Sequence, residues 1–309
     1  MSLRLVLLLG AAVILSRGAI AQQPTFRSGA AAVVVDVNVR DRNGRPITNL
    51  GLNDFEVLDN AVAQKVHDLS YGKVPIDVTI ALDVSHSVTG DTLTRLRQAV
   101  VQLMRDLEKE DRLKLVLFNM RVDRTMDFSW DAKAVEAAIR TATAGGGTAL
   151  LDTVSVAMVS ASAPDRRQLI VVFTDGSDSS STTTPEVLAS VAQRTHATLT
   201  FVMPGVSSPI TIQSGSPLPP ITISRQRAIR GPLHDFLTTL ARDTGGSVLP
   251  VARGVDLTAA FRRVLSDFRS TYVLYYTPRE VERAGYHAIQ VNVKRDGATV
   301  RARRGYFGG

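Results

Sequence analysis

The chain has no cysteine among its 309 residues. That excludes disulfides, thiolate catalysis, cysteine-ligated zinc and lipid attachment through sulfur. Long hydrophobic runs are scarce: after the first 21 residues no apolar stretch approaches the ~20 residues a bilayer requires. Several enzyme signatures are also missing. There is no G-x-S-x-G nucleophile elbow, and the "GGGT" run at 145–148 is not followed by Gly-Lys-Ser/Thr, as a phosphate-binding loop requires. His67, His196, His234 and His287 are scattered without metal-ligand spacing and read as surface or packing residues. The single tryptophan, Trp130, and the phenylalanines suit core or edge positions better than a cofactor box.

The first 21 residues, "MSLRLVLLLGAAVILSRGAIA", have an early Arg4, an apolar core from Leu5 to Leu15, and an Ala19-Ile20-Ala21 end. This is the pattern of a secretory leader with an A-x-A cleavage site, its core too short for a membrane span. An uncleaved N-terminal anchor is the alternative. The expected mature chain starts near Gln22, is exported to the periplasm or the cell exterior, and carries no membrane span. Without cysteines its stability must come from packing. Loss of Arg4 and Arg17 with the leader takes the formal charge from +7 to +5, much of it in the C-terminal "KRDGATVRARRGYF". A nucleic-acid binder would carry a basic stripe with interleaved aromatics. The excess here is read instead as solvated strand faces, and no nucleic-acid partner is expected.

Three blocks follow the leader. In residues 30–72, "VVVDVNVRD" alternates apolar and polar residues with period two, Asn43-Gly44 marks a turn, and "DFEVLDNAVAQKVHDLSY" offers two more short strands. In residues 74–270 the pattern changes to near-continuous apolar runs, "VPIDVTIALDVS", "RLKLVLFNM", "RQLIVVFTDGS" and "ATLTFVMPG". Such runs suit strands buried on both faces of a parallel sheet. Helical segments lie between and after them, the first with Leu93, Leu96, Val100, Leu103 and Leu107 on one face. Alternating strands and helices predict an α/β domain with a doubly wound, mostly parallel sheet of Rossmann-like type. "RVDRTMDFS" is polar enough for an edge strand.

Residues 271–307 return to strand patterns, in "TYVLYYTP", "HAIQVNVKR" and "TVRARRGYF". Strands at the two ends of the chain are expected to pair with each other in a small β-sandwich, with the central domain inserted between them. Two separate mini-sheets would each be too small to bury a core. One segment fits neither pattern: the Pro/Ser-rich insertion 204–232 contains two "PITI" copies that would suit a protruding hairpin.

The stretch "VTIALDVSHSVTG" (78–90) carries the chemistry. A buried strand ends in Asp83, and Ser85 and Ser87 follow at alternate positions. A second strand ends in Thr174-Asp175-Gly176, and the glycine-rich "GGGTALLD" places Thr148 just before a helix. In an open parallel sheet, ligands bind beyond the carboxyl ends of the strands. Three loops therefore deliver two carboxylates and three hydroxyls to one edge. A set of oxygens without nitrogen or sulfur suits a hard cation such as Mg2+. An ion left electropositive by so few charges would accept a carboxylate from a partner.

Asp83-x-Ser85-x-Ser87, then Thr148, then Asp175-Gly176 resembles the metal-ion-dependent adhesion site of von Willebrand factor A domains, in the right order and each after the right type of element. The flanking β segments, with the central domain, are similar to bacterial exported proteins described as von Willebrand factor A-related; the 204–232 insertion departs from that pattern. The resemblance implies that Ser85, Ser87 and Thr148 bind Mg2+ (Mn2+ and Ca2+ being the alternatives), that Asp83 and Asp175 bind directly or through water, and that the role is adhesion or protein interaction. Asp152 either orients the threonine loop from behind or simply occupies a first helical turn, the plainer reading being preferred, and Gly176 supports Asp175.

Each of these residues also has a simpler reading. Asp83, Ser85 and Ser87 alone would make a helix N-cap and a polar loop. "TDGSDSSSTTT", with Asp178, reads as a mobile solvated loop near the metal, and His86 as pointing away. A haloacid-dehalogenase-like phosphatase would need a second aspartate where Ser85 stands. The expectation is an exported, non-enzymatic interaction protein whose metal bridges to an Asp or Glu carboxylate of a protein partner. The alternatives are an envelope scaffold with a structural or vestigial metal site and, less favoured, an exported hydrolase.

Overall fold

The computed structural model of the chain describes residues 32–308 apart from 89, 161, 162, 164, 205–209, 213–220, 224–230 and 252–255. The expected leader, 1–21, lies outside the described residues, as does most of the 204–232 insertion.

The N-terminal strands are β1 (Val33–Arg40), β2 (Phe55–Asp59), β3 (Val62–Gln64) and β4 (Val66–Tyr71). The central part begins with β5 (Ile76–Asp83), α1 (Asp91–Asp106), β6 (Arg112–Phe118), β7 (Val122–Ser129), α2 (Ala132–Arg140) and α3 (Leu150–Val159). It continues with β8 (Arg167–Phe173), α4 (Pro185–Arg194), β9 (Thr198–Pro204), β10 (Ile210–Ile212) and β11 (Ile221–Ile223). It closes with α5 (Pro232–Asp243), β12 (Ser247–Val251) and α6 (Leu257–Arg269). The last strands are β13 (Tyr272–Tyr276), β14 (Gly285–Val293), β15 (Thr299–Ala302) and β16 (Gly305–Gly308).

The central sheet has the order β12-β9-β8-β5-β6-β7. All pairs are parallel except β6–β7, whose polar outer strand lies antiparallel at the edge. The apolar runs of β5 and β8 are buried along their whole length, because helices cover both faces of the sheet. α1, α2 and α6 pack on one face, where Leu96, Val100, Leu103, Val135, Ile139 and Phe261 join one core. α3, α4 and α5 pack on the other through Leu150, Val154, Leu188, Leu237 and Leu240. From β5 the chain turns one way to β6 and the other way to β8, β9 and β12, so the strand order switches beside β5. At such a switch ligands bind beyond the carboxyl ends of the strands, here those of β5 and β8.

The two ends of the chain form a β-sandwich of two four-stranded sheets, β15-β1-β13-β4 and β16-β14-β2-β3. Each sheet mixes strands from both ends: β1 lies between β13 and β15, and β14 between β2 and β16. Separate mini-sheets are therefore not what forms. The period-two pattern of β1 sends Val33, Val35, Val37 and Val39 into a core with Phe55, Val57, Tyr272, Leu274 and Tyr276. Within the insertion, β10 and β11 pair antiparallel, Ile210 opposite Ile223.

The opposite face of β1 corrects the expectation of solvated strand faces. It packs on the central domain. Asp36 pairs with Arg167 at 2.6 Å, Arg40 pairs with Asp267 at 2.7 Å, and Asn38 donates to the Asp267 carbonyl at 3.1 Å. Two of the C-terminal arginines follow the same logic. Arg301 is only partly exposed, and Arg303 is buried, donating to the carbonyls of Gly305 and Thr195 at 2.8 and 2.9 Å. A polar face seated on a neighbouring domain has the same periodicity as a polar face seated in water.

Candidate metal centre

Asp83 closes β5 and is 0% exposed. Its position follows from the register: Leu82 stands opposite Phe173 on β8, so the next residues along, Asp83 and Thr174, meet. Thr174 Oγ1 donates to Asp83 Oδ2 at 3.1 Å, and the Ser85 N–H donates to Asp83 Oδ1 at 2.8 Å. Both oxygens of the buried carboxylate are therefore held by protein donors. The Ser85 and Ser87 hydroxyls lie 3.1 Å apart, Ser85 buried and Ser87 exposed. α1 begins after Gly90 with no side-chain cap, so neither the aspartate nor the serines cap it.

Backbone hydrogen bonds stitch the three loops together. The Gly145 N–H donates to the Val84 carbonyl at 2.9 Å, and the His86 N–H to the Gly146 carbonyl at 3.1 Å. Thr148, buried, accepts at its carbonyl from the N–H groups of Ser179 and Ser180 at 2.8 and 3.0 Å, while its own N–H donates to Ser179 Oγ at 3.0 Å. The approach is close: a Cβ at Gly147 would meet Ser180 Oγ at 2.6 Å and Ser179 Oγ at 2.7 Å, so both hydroxyls would have to turn away to admit one. Gly176 has φ +84, the left-handed region in which glycine is unstrained, and its N–H donates to Thr174 Oγ1 at 3.1 Å. That turn presents Asp175, partly exposed, near enough to Asp83 for their charges to interact.

The electrostatics follow from this geometry. Burial pushes the Asp83 carboxyl above the ordinary aspartate value, hydrogen bonds from Ser85 pull it back, the Asp175 charge raises it again, and the Thr174 hydroxyl lowers it. A desolvated carboxylate beside another carboxylate favours a neighbouring cation. Among the described residues, no group of three or more His, Cys, Asp or Glu side chains is arranged to hold a metal ion. A cation here would therefore depend on hydroxyl oxygens as well as the two aspartates. The donor set of Asp83, Ser85, Ser87, Thr148 and Asp175 is all hard oxygen and fits Mg2+ in that sense.

The loop expected over 174–184 is solvated as the sequence predicts, with Ser177, Ser179, Thr182 and Thr184 exposed, but it is tethered by hydrogen bonds. α3 starts after Ala149, which has no side-chain oxygen to cap its exposed N–H groups. The neighbouring loop supplies the missing acceptors: Asp178 Oδ2 accepts from the Leu151 N–H at 2.8 Å, and Ser181 Oγ from the Asp152 N–H at 3.1 Å. Asp152 does more than occupy a helical turn, since its carboxylate accepts from the N–H groups of Thr182 at 3.1 Å and Thr183 at 2.7 Å. Sequence reasoning assigned no role to Thr174, Asp178, Ser179 or Ser181. A helix opening on alanine, with an Asp/Ser-rich loop elsewhere, was the available signal. Asn119 joins them: its carbonyl accepts from the Ala149 N–H at 2.6 Å, fixing the far side of the threonine loop.

A doubly wound domain with an oxygen-lined site at its topological switch is the class that fold and site define. Residues 77–210 match the family model of the von Willebrand factor type A domain, and the central domain is of that type. Such domains mediate protein–protein interaction, so an interaction or adhesion type of function is what the domain indicates. No curated protein matches the chain. Among solved structures, it is similar to an aerotolerance-related membrane protein from Bacteroides fragilis, at 17% identity and TM-score 0.45, covering 62% of this chain and 98% of that one. It is also similar to a von Willebrand factor type A protein from Catenulispora acidiphila, at 14% identity and TM-score 0.47, covering 91% and 76%. The von Willebrand domain of the pilus tip protein Mfa5 from Porphyromonas gingivalis shares 23% identity at TM-score 0.30, over 34% and 39%. Among the described residues no helix is long and apolar enough to cross a membrane.

Proposed function

We propose that the protein is an exported interaction protein whose central domain recognises a carboxylate on a protein partner through a bound divalent cation. The observation that carries this reading is the buried Asp83 carboxylate, fixed by the Ser85 N–H and the Thr174 hydroxyl, beside the Ser85–Ser87 hydroxyl pair. Ser85, Ser87 and Thr148 would hold the ion, Mg2+ before Mn2+ or Ca2+, with Asp83 and Asp175 holding it directly or through water. When bound, the ion supplies an electropositive centre that a partner's Asp or Glu side chain can complete.

The chain's own residues do the positioning. Asp83 orients the Ser85 backbone, the glycine-rich loop presents Thr148, and the tethered 177–184 loop holds Thr148 in place from behind. The site is read as a binding site, with no catalytic role for these residues. The leader, read from sequence, sends the mature chain to the periplasm or beyond.

The test is calorimetric titration of the metal-free chain with Mg2+ and then Mn2+. Saturable one-to-one binding is expected, abolished by Ser85→Ala with an unchanged circular dichroism spectrum. No heat and no thermal shift with either ion would overturn the metal bridge and leave the envelope-scaffold reading.

A further inference from the structure

A cavity of about 440 Å³ lies at the seam between the β-sandwich and the central domain. Its walls are the polar face of β1, the amino ends of β9 and β12, and the last turns of α6. It is at the opposite end of the parallel sheet from Asp83: Thr198 and Ser247 open β9 and β12, whereas Asp83 closes β5. The cavity therefore belongs to no part of the candidate metal centre. Its volume falls within the roughly 300–1,000 Å³ typical of small-molecule sites.

The charges lining it do not balance. Two carboxylates, Asp36 and Asp267, face three guanidiniums, Arg40, Arg263 and Arg301. Both carboxylates are already taken, Asp36 by Arg167 at 2.6 Å and Asp267 by Arg40 at 2.7 Å. Among the described residues Arg263 and Arg301 form no ion pair. Arg301 is brought into the seam by its strand, standing opposite Asn38 across the β1–β15 ladder. Among the described residues its Nε is buried with no hydrogen-bond partner. Burial holds the Arg301 guanidinium below the ordinary arginine value; Asp267 opposes that shift and the nearby Arg40 charge adds to it. A buried donor without an acceptor costs free energy unless something satisfies it. Arg263 is exposed on α6 and lines the same cavity, a second cation at its mouth.

Guanidinium groups present paired donors that match the oxygens of carboxylates and phosphates. The hydroxyl-bearing Thr198 and Thr200 and the apolar Val264 and Phe268 complete a lining suited to an organic body as well as a charged head. We infer that this cavity binds a small organic oxyanion, a carboxylate or phosphate compound, held by Arg301 within and Arg263 at the mouth. The site is independent of the divalent-cation reading.

The experiment is titration calorimetry and thermal shift of the full chain, stripped of metal and then dialysed free of chelator, with citrate and with inorganic phosphate, each at constant ionic strength against chloride. Saturable binding of at least one of them is expected, weakened about tenfold or more by Arg301→Gln, less by Arg263→Gln, and unchanged in Ser85→Ala. Citrate alone would assign the site to carboxylates, and phosphate alone to phosphate compounds. Should Arg301→Gln fail to fold, Arg263→Glu at the exposed mouth carries the test, with the same direction expected. Absence of saturable binding by either anion up to ~10 mM, or binding indifferent to substitution at both arginines, would overturn the inference.

Discussion

Thr174 Oγ1 donates to Asp83 Oδ2 across 3.1 Å, and both residues are 0% exposed. The same hydroxyl oxygen accepts from the Gly176 N–H at 3.1 Å, so one side chain fixes both the buried carboxylate and the turn that carries Asp175. Thr174→Val keeps the shape and removes the hydroxyl, leaving a buried carboxylate oxygen and a backbone N–H without that partner. A loss of about 2 kcal/mol in urea denaturation is expected, with Mg2+ affinity falling in parallel. Thr174→Ser restores the hydroxyl and should stay within about 1 kcal/mol of the native chain. A valine variant as stable as the native chain would show that the contact does not hold the site together.

Asp152 makes a second test of the site's construction. Burial raises its carboxyl, but the hydrogen bonds from Thr183 and Thr182 outweigh that and leave it below the ordinary aspartate value of 3.8. A carboxyl lowered in the folded state binds fewer protons there than in the unfolded chain. The stability it contributes is therefore fully present above pH 3.8 and is lost as pH falls through the lower folded value. Asp152→Ala should cost about 1–2 kcal/mol at neutral pH and flatten the acid limb of stability against pH, as read by thermal melting from neutral to strongly acid buffers. Proteolysis at 177–184 should also quicken, because the variant frees the Thr182 and Thr183 N–H groups.

Much of this architecture was legible because it rests on local pattern. The continuous apolar runs of β5 and β8 can only be buried on both faces, and D-x-S-x-S after such a run puts oxygens at the sheet's carboxyl edge. α6 was legible too, with Asp256 as its cap and Leu257, Phe261, Val264 and Phe268 on one face, yet it was not among the predicted helices. β12 was hidden by its brevity and by Pro250, which a strand tolerates at a sheet edge. The role of the 177–184 loop depends on which helix lies beside it, and no local signal names that helix. The polar side of β1 raises the same difficulty, since alternation gives two faces without saying whether the second meets water or a domain.

That second face makes the strongest energetic claim about the seam. Arg167 opens β8, and its side chain is 4% exposed. It donates to Asp36 at 2.6 Å and to the Phe268 carbonyl and Thr271 Oγ1 at 3.0 Å each, while its guanidinium lies 3.9 Å from the centre of the Phe268 ring. Every one of those partners lies outside the central sheet, so this one arginine joins it to β1 and to the end of α6. Asp36→Ala removes the balancing charge and leaves the guanidinium buried, a change that typically costs about 3–5 kcal/mol. Replacing both residues, as Asp36→Val with Arg167→Met, removes the stranded charge and should recover a large part of that loss. Urea denaturation of the native chain, Asp36→Val, Arg167→Met and the double variant forms a closed cycle that measures the pair directly. If Asp36→Ala loses less than about 1 kcal/mol, water reaches Arg167 and the seam is not the dry polar contact its burial implies.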